Sequence, residues 1–375
     1  MSGVVSIVSL SRLFAERDAQ DPGRYPAANI ADLVQHRLLG APFPDRLGGL
    51  GWSLSEAVKA VETIAQGSPS TALLWAMPLG LAGFCSLDVH IAPKEHQAAW
   101  SAQAERIAAE FLQGHIFAAC NSEKGAGGSL ASTKTMAERV APGQFRLTGD
   151  KILASFGQHA SVFFSTAKLP PEPPGGTEAV EFFLVPTSAP GVEIMSDWDG
   201  FGMRSTESQS VRYKQAAGEL LCFPNFIGVA RPIQYAVCLF AAIALGCAGG
   251  MLRAMAHPAP TSPALRLRLN EALMRYEALS AYLLETASAW RAGAEPSYAA
   301  RVLRMKTYVS QESTRLCAEL FALSGGSHYR ASDPLARLLA DSFAGTALRP
   351  PLPLALDMFS QEFVMPDFDH NLTTS

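Results

Sequence analysis

The segment Asn121-Ser122-Glu123-Lys124-Gly125-Ala126-Gly127-Gly128-Ser129-Leu130-Ala131-Ser132-Thr133-Lys134-Thr135 sets a single carboxylate beside glycines and hydroxyls. Glycines at this density let backbone N–H groups come close to a ligand such as a phosphate. A Gly-rich turn alone does not make a site, and its context has to supply the rest. A second small, polar segment follows at Ala154-Ser155-Phe156-Gly157-Gln158-His159, with a hydroxyl and an imidazole four residues apart. Between and after these two segments the apolar runs at 144–149 and 161–168 read as β-strands.

Those strands belong to a middle region bounded by helices. Period-3.6 patterns predict helices over 4–18, 30–39, 53–66, 70–87, 93–101 and 104–114. Ser53 with Glu56 three residues on is a capping-box start. From Ile116 to about Phe226, short apolar runs at 180–185, 191–195 and 210–214 are separated by Gly, Pro and Ser, which predicts an all-β region. The Pro-rich piece 169–176 is an exposed loop between strands. Helices return over 233–257, where Pro258 and Pro260 stop the first, and then over 263–293, 296–323 and 333–347. The expected organisation is a helical domain (1–115), a β domain (116–230) and a helical bundle (231–375).

Composition narrows the function classes. The chain has 375 residues, 48% hydrophobic and 17% charged, which describes a well-buried globular protein of more than one layer. The net charge is −4 and the 30 Lys and Arg residues form no basic run, which speaks against nucleic acid. The six cysteines include no CxxC pair; buried, reduced thiols of a cytoplasmic protein are expected, and no metal site. The most apolar stretch, 235–255, reads as a helix buried in a multi-helix core rather than a membrane span, since no second span accompanies it.

The order of elements, with the motifs inside it, resembles the acyl-CoA dehydrogenase family of FAD enzymes. The likeness runs from about Pro42 to Asp341. Residues 42–53 resemble the family's "P-x-x-x-G-G-x-G" element, and 122–135 its "T-E-P-x-A-G-S-D…K-T" signature. Leu147-Thr148-Gly149-Asp150-Lys151 and the four residues after it resemble "L-x-G-x-K-x-W-I-T". Gly202-Met203-Arg204-Ser205-Thr206 resembles "G-x-R-x-S", and Gly325-Gly326 with Pro334, Arg337 and Asp341 resembles the C-terminal "GG…P-x-x-R…R-D" stretch. The fold this implies is α+β: a helical N-terminal domain, a middle β-barrel and a C-terminal four-helix bundle. The ligands it implies are FAD and an acyl-CoA or a related small acyl compound, in a homodimer or homotetramer. Ser122 would bond the flavin ring, and Gly128 and Ser129 would stand at the pyrophosphate. Leu153 and Ser155 would cover the ring, Ser155 bonding the N5 region, and Gly325 and Gly326 would approach the adenine end.

The catalytic base is where the resemblance fails. In the family a carboxylate removes the α-proton of a thioester while hydride passes from the β-carbon to the flavin. Its usual place falls near Arg349-Pro350-Pro351, and arginine stays protonated. The alternative place, near an "R-x-x-F-G" motif, is missing, because the helix ends at His257-Pro258. Asp357, Glu362, Glu123 and His159 are the remaining candidates, each with a plainer structural reading, and His328 is expected to be a packing or surface residue. Segments like 155–160 also occur in flavin-dependent monooxygenases built on the same scaffold, which use reduced flavin and oxygen and need no thioester base. The function the resemblance implies is oxidation of an acyl thioester at Cα–Cβ. The alternatives are a flavin monooxygenase or a non-catalytic relative that binds a partner.

Overall fold

The computed structural model describes residues 6–170 and 178–361. Glu362 and most of the Pro-rich loop lie outside the described residues.

The chain opens with helices α1 (Ile7–Gln20), α2 (Ala27–Gln35), α3 (Leu54–Ala65), α4 (Pro69–Cys85) and α5 (Lys94–Leu112). The capping box forms as read: the Ser53 hydroxyl accepts from the Glu56 backbone N–H, and the Ser53 N–H donates to the Glu56 carboxylate at 2.8 Å. Helix α2 starts and ends earlier than its pattern suggested. Beyond it the Leu38 carbonyl accepts the Trp75 indole N–H at 2.8 Å, so a tertiary bond to α4 takes over from the helix. The two helices expected at 93–101 and 104–114 are one. Gln103 interrupts the apolar stripe, but it is buried for a purpose: its amide donates to Leu220 O and accepts from Cys222 N–H, tying α5 to the β region.

The β region holds β1 (Phe117–Ala119), β2 (Met136–Ala141), β3 (Gln144–Ala154), β4 (Val162–Leu169), β5 (Ala179–Pro186), β6 (Val192–Ile194) and β7 (Gln209–Leu220). Strands β4, β2, β3, β7 and β5 pair in that order and β5 returns to β4, so the sheet closes into a small barrel. Strand β1 adds to β4 in parallel, and β6 adds to β7. Strands β3 and β7 run well past the segments read as strand. Register shifts near Gly149 and before Ala154 break their alternation, and a broken period hides a strand.

After a short helix α6 (Phe226–Ala230) come α7 (Ile233–Ala256), α8 (Pro263–Ser288), α9 (Pro296–Ser324), α10 (Pro334–Ser342), α11 (Ala344–Ala347) and α12 (Leu352–Gln361). Helix α7 is the one helix among the described residues long and apolar enough to cross a membrane, and it lies buried against α3, α4, α8, α9 and α10. The expected helix at 333–347 is broken at Phe343 into α10 and α11, which turns the chain back toward the barrel.

Candidate functional site

The end of β3 and the Gly-rich segment meet through a bridge, Ile152 N–H to Ser122 O at 2.8 Å. Just beyond it Leu153 and Phe156 take positive φ (59° and 73°), and Phe156 N–H donates to Thr206 O. This local geometry turns Ser155 inward and leaves the Leu153 side chain half exposed at the rim. Behind them a cavity of about 330 Å³ lies between the barrel, α4, α7 and the α10–α11 corner. The helices give it apolar walls (Leu73, Met77, Phe84 and Phe240). Asn121, Ser122, Ser155, Ser208 and Arg349 bring the polar groups. No carboxylate lines it among the described residues.

The hydroxyls form a directed chain. Thr206 donates to Met203 O at 2.8 Å. Its 2.7 Å contact with Ser208 must then use the Ser208 proton, and the 3.0 Å contact between Ser208 and Ser155 must use that of Ser155. Ser155 therefore has its proton committed and presents lone pairs to the cavity. Asn121 is fixed by accepting Thr166 N–H at its Oδ1 (2.9 Å), a bond that does not use the amide Nδ2.

Arg349 is the only ionic group on the walls among the described residues. Its Nη2 donates to Asn121 O at 3.3 Å, while Nη1 is buried with no acceptor among the described residues. Burial pulls the guanidinium down to about 10, opposed by the charge of Glu123, so it stays protonated at neutral pH. The backbone carrying it is fastened by Lys306, whose ammonium donates to Leu348 O (2.7 Å) and Pro350 O (2.5 Å). On the other side Gly128, at φ +86°, lies so close to Pro351 that a Cβ would stand 2.4 Å from its Cδ.

The residues marked in the sequence separate into two sets. Ser122, Leu153 and Ser155 come together on the cavity. Gly128 and Ser129 lie outside it, Gly128 against Pro351 and Ser129 N–H on Ala126 O. Gly325 and Gly326 end α9 far along the chain, Gly325 at φ +89°, and a Cβ at either would meet nothing within 4 Å. Near them runs a larger cleft of about 1730 Å³ past Tyr329, whose walls mix Arg12, Arg204, Arg253, Arg330 and Arg337 with Glu16, Asp18, Asp199 and Asp341. The cleft shares Phe201 and Ala340 with the smaller cavity. Asp341 lies between them, accepting Met203 N–H at 2.6 Å, and burial raises its carboxyl to about 6.

The candidate bases fall elsewhere. Glu123 is enclosed, its carboxylate accepting from Lys151 Nζ (2.6 Å), Lys134 N–H (2.6 Å), Thr135 N–H (3.2 Å) and Thr135 Oγ1 (2.8 Å). Burial would raise it, but the Lys151 bond and charge and the other donors hold it below the usual carboxylate range. It braces the turn. His159 is exposed and stacks on Tyr25, with ring centroids 3.7 Å apart. Asp357 is exposed on α12, and His328 pairs with Asp333 at 3.1 Å. Sequence reasoning missed Asn121, Ser208 and Lys306. For Lys306 a signal existed, because it shares the buried face of α9 with Val302, Met305 and Val309, where a charge needs a reason.

Comparison with known proteins agrees with this architecture. Family models for the N-terminal, middle and C-terminal domains of acyl-CoA dehydrogenases match residues 9–115, 118–216 and 238–347. The L-evernosamine nitrososynthase of a Micromonospora species is 26% identical, covering 93% of this chain and 85% of its own length. KijD3, solved with FMN and dTDP-3-amino-2,3,6-trideoxy-4-keto-3-methyl-D-glucose, superposes with a TM-score of 0.80 at 20% identity, over 95% of this chain and 93% of that one. Butyryl-CoA dehydrogenase from Megasphaera elsdenii superposes with a TM-score of 0.79 at 19% identity, over 96% and 99% of the two chains.

Proposed function

The chain belongs to the acyl-CoA dehydrogenase family of flavin-dependent enzymes, and from that premise we propose that it is a flavin-dependent oxygenase acting on a small molecule. The observation that carries this reading is Arg349 on a cavity wall without a carboxylate among the described residues. Removing the α-proton of a thioester needs a base, and a guanidinium held at about 10 is an acid at neutral pH. Oxygen transfer makes no such demand. The relatives named as nitrososynthases support the same choice.

The cavity residues fit a flavin ring, with apolar walls from α4 and α7 and a polar edge from the barrel. Ser122, Leu153 and Ser155 would hold the ring, with Asn121 and Ser208. A reduced flavin, when bound, supplies the electrons that activate molecular oxygen for transfer to the substrate. The protein's own part is binding and exclusion. Phe84, Phe240 and Phe164 line the space, and a ring seated against them would displace water and strengthen the polar contacts. Ser155, with its proton given to Ser208, accepts a hydrogen bond, and so favours a ligand edge that carries N–H. At the flavin N5, which the resemblance sets beside Ser155, the reduced ring carries an N–H and the oxidised ring only a lone pair. Gly128 and Ser129 would serve the phosphate end. Gly325 and Gly326, near the larger cleft, would serve an adenylate end if the cofactor is FAD rather than FMN. A cytoplasmic homo-oligomer is part of the same reading.

The test is binding and bleaching. The protein is expected to bind reduced FMN or FAD about tenfold more tightly than the oxidised form, a difference of about 1.4 kcal/mol. Anaerobic butyryl-CoA or octanoyl-CoA is expected to leave oxidised flavin yellow. Bleaching by either thioester would reinstate the dehydrogenase. No uptake of flavin in either state would leave a non-catalytic binding protein.

A further inference from the structure

We infer that Arg349 is the specificity-determining residue of the cavity and takes an oxyanion, of the carboxylate type, carried by an otherwise apolar small substrate. The inference deepens the oxygenase reading, which supplies the word substrate; the binding itself depends only on the cavity.

Three observations meet here. First, Nη1 of Arg349 is buried without an acceptor among the described residues. A purely structural arginine tying residue 349 to Asn121 O accounts for Nη2 alone and leaves a buried charged donor unsatisfied, which proteins avoid. Second, the neighbouring carboxylate cannot serve. Glu123 is already occupied by Lys151, Lys134 and Thr135, and no other acid lines the cavity among the described residues. Glu123 acts on the guanidinium by charge alone, and an acceptor for Nη1 would come from a ligand. Third, the cation is held in place on both sides. Lys306 grips the carbonyls of Leu348 and Pro350, before and after Arg349, and Gly128 receives the ring of Pro351 where any side chain would collide. A fixed guanidinium edge among apolar walls selects a planar oxyanion on a hydrophobic body.

The test compares acids with their own amides: butyrate, hexanoate and phenylacetate against butyramide, hexanamide and phenylacetamide. Each is titrated into the purified protein by calorimetry, with and without FMN. At least one acid is expected to bind about tenfold or more tighter than its amide, as a charge-assisted bond implies. Arg349→Gln is expected to abolish the preference, and Arg349→Lys to keep part of it. If no acid is preferred over its amide by the unaltered protein, the inference fails without recourse to any variant. If Arg349→Gln loses flavin and keeps the acid preference, the guanidinium serves the cofactor and the inference also fails. Neither result depends on oxygen or thioesters, so it stands apart from the test of the oxygenase reading.

Discussion

Two ionic residues, Glu123 and Arg349, show how differently a buried charge can be used. Glu123 sits in the signature segment and looks catalytic by type, yet every contact it makes is internal, with Lys151 buried against it at 2.6 Å. Removing one partner of such a pair leaves the other charged and uncompensated. Glu123→Gln is expected to destabilise the protein by about 3–5 kcal/mol, read as a lower urea midpoint. Adding Lys151→Met should recover much of that loss. An unchanged midpoint for the single variant would mean that the pair does not brace the turn. Arg349 is the opposite case, since its Nη1 has no partner among the described residues. The sequence offered a structural reading for Glu123 but none for the unpartnered Arg349. Counting hydrogen-bond partners separated them.

Helix α9 shows how an element can serve a site it does not touch. Its buried stripe includes Lys306, which reaches the loop carrying Arg349, and burial lowers this lysine to about 7. The sign of the consequence follows directly. Below pH 7 the lysine is charged in both folded and unfolded chains and the full burial penalty is felt. Between pH 7 and about 10.4 the unfolded chain holds a proton that the folded chain has released, so stability rises with pH. Lys306 should therefore contribute a gain of about 2–3 kcal/mol between pH 6.5 and 9. Urea melts at the two pH values should show this gain in the unaltered protein and its disappearance in Lys306→Met. Equal slopes for both proteins would show that Lys306 is not the group titrating.

At the scale of the molecule the site is a seam. The barrel offers hydroxyls and an amide, the helices offer apolar walls, and neither surface alone encloses the cavity. A ligand in the seam touches both and should hold them together. At a concentration one hundred times its dissociation constant, reduced flavin is expected to stabilise the protein by about 2.7 kcal/mol, seen as a raised Tm under anaerobic conditions. Ser155→Ala removes the acceptor at the barrel side and should lower that gain for reduced flavin more than for oxidised flavin. An equal loss for both would show that Ser155 does not discriminate between them.

Several features were legible because they depend on neighbours in the chain. The Ser53–Glu56 cap, the end of α7 before Pro258, and the helical–β–helical order all follow from local spacing and backbone chemistry. So did the motif order that placed the chain in its family. Legibility failed where a distant group decided the outcome. Gln103 looked like a break in a helix because its partners, Leu220 and Cys222, lie more than a hundred residues on. Strands β3 and β7 were cut short because their bulges erase the period that marks a strand. The gathering of Ser122, Ser155, Ser208 and Arg349 on one cavity, and the unpartnered Nη1 of Arg349, exist only once barrel and bundle close on each other. Local pattern records what a residue prefers beside its neighbours. Which charge is left without a partner is settled by all the groups that surround it in space.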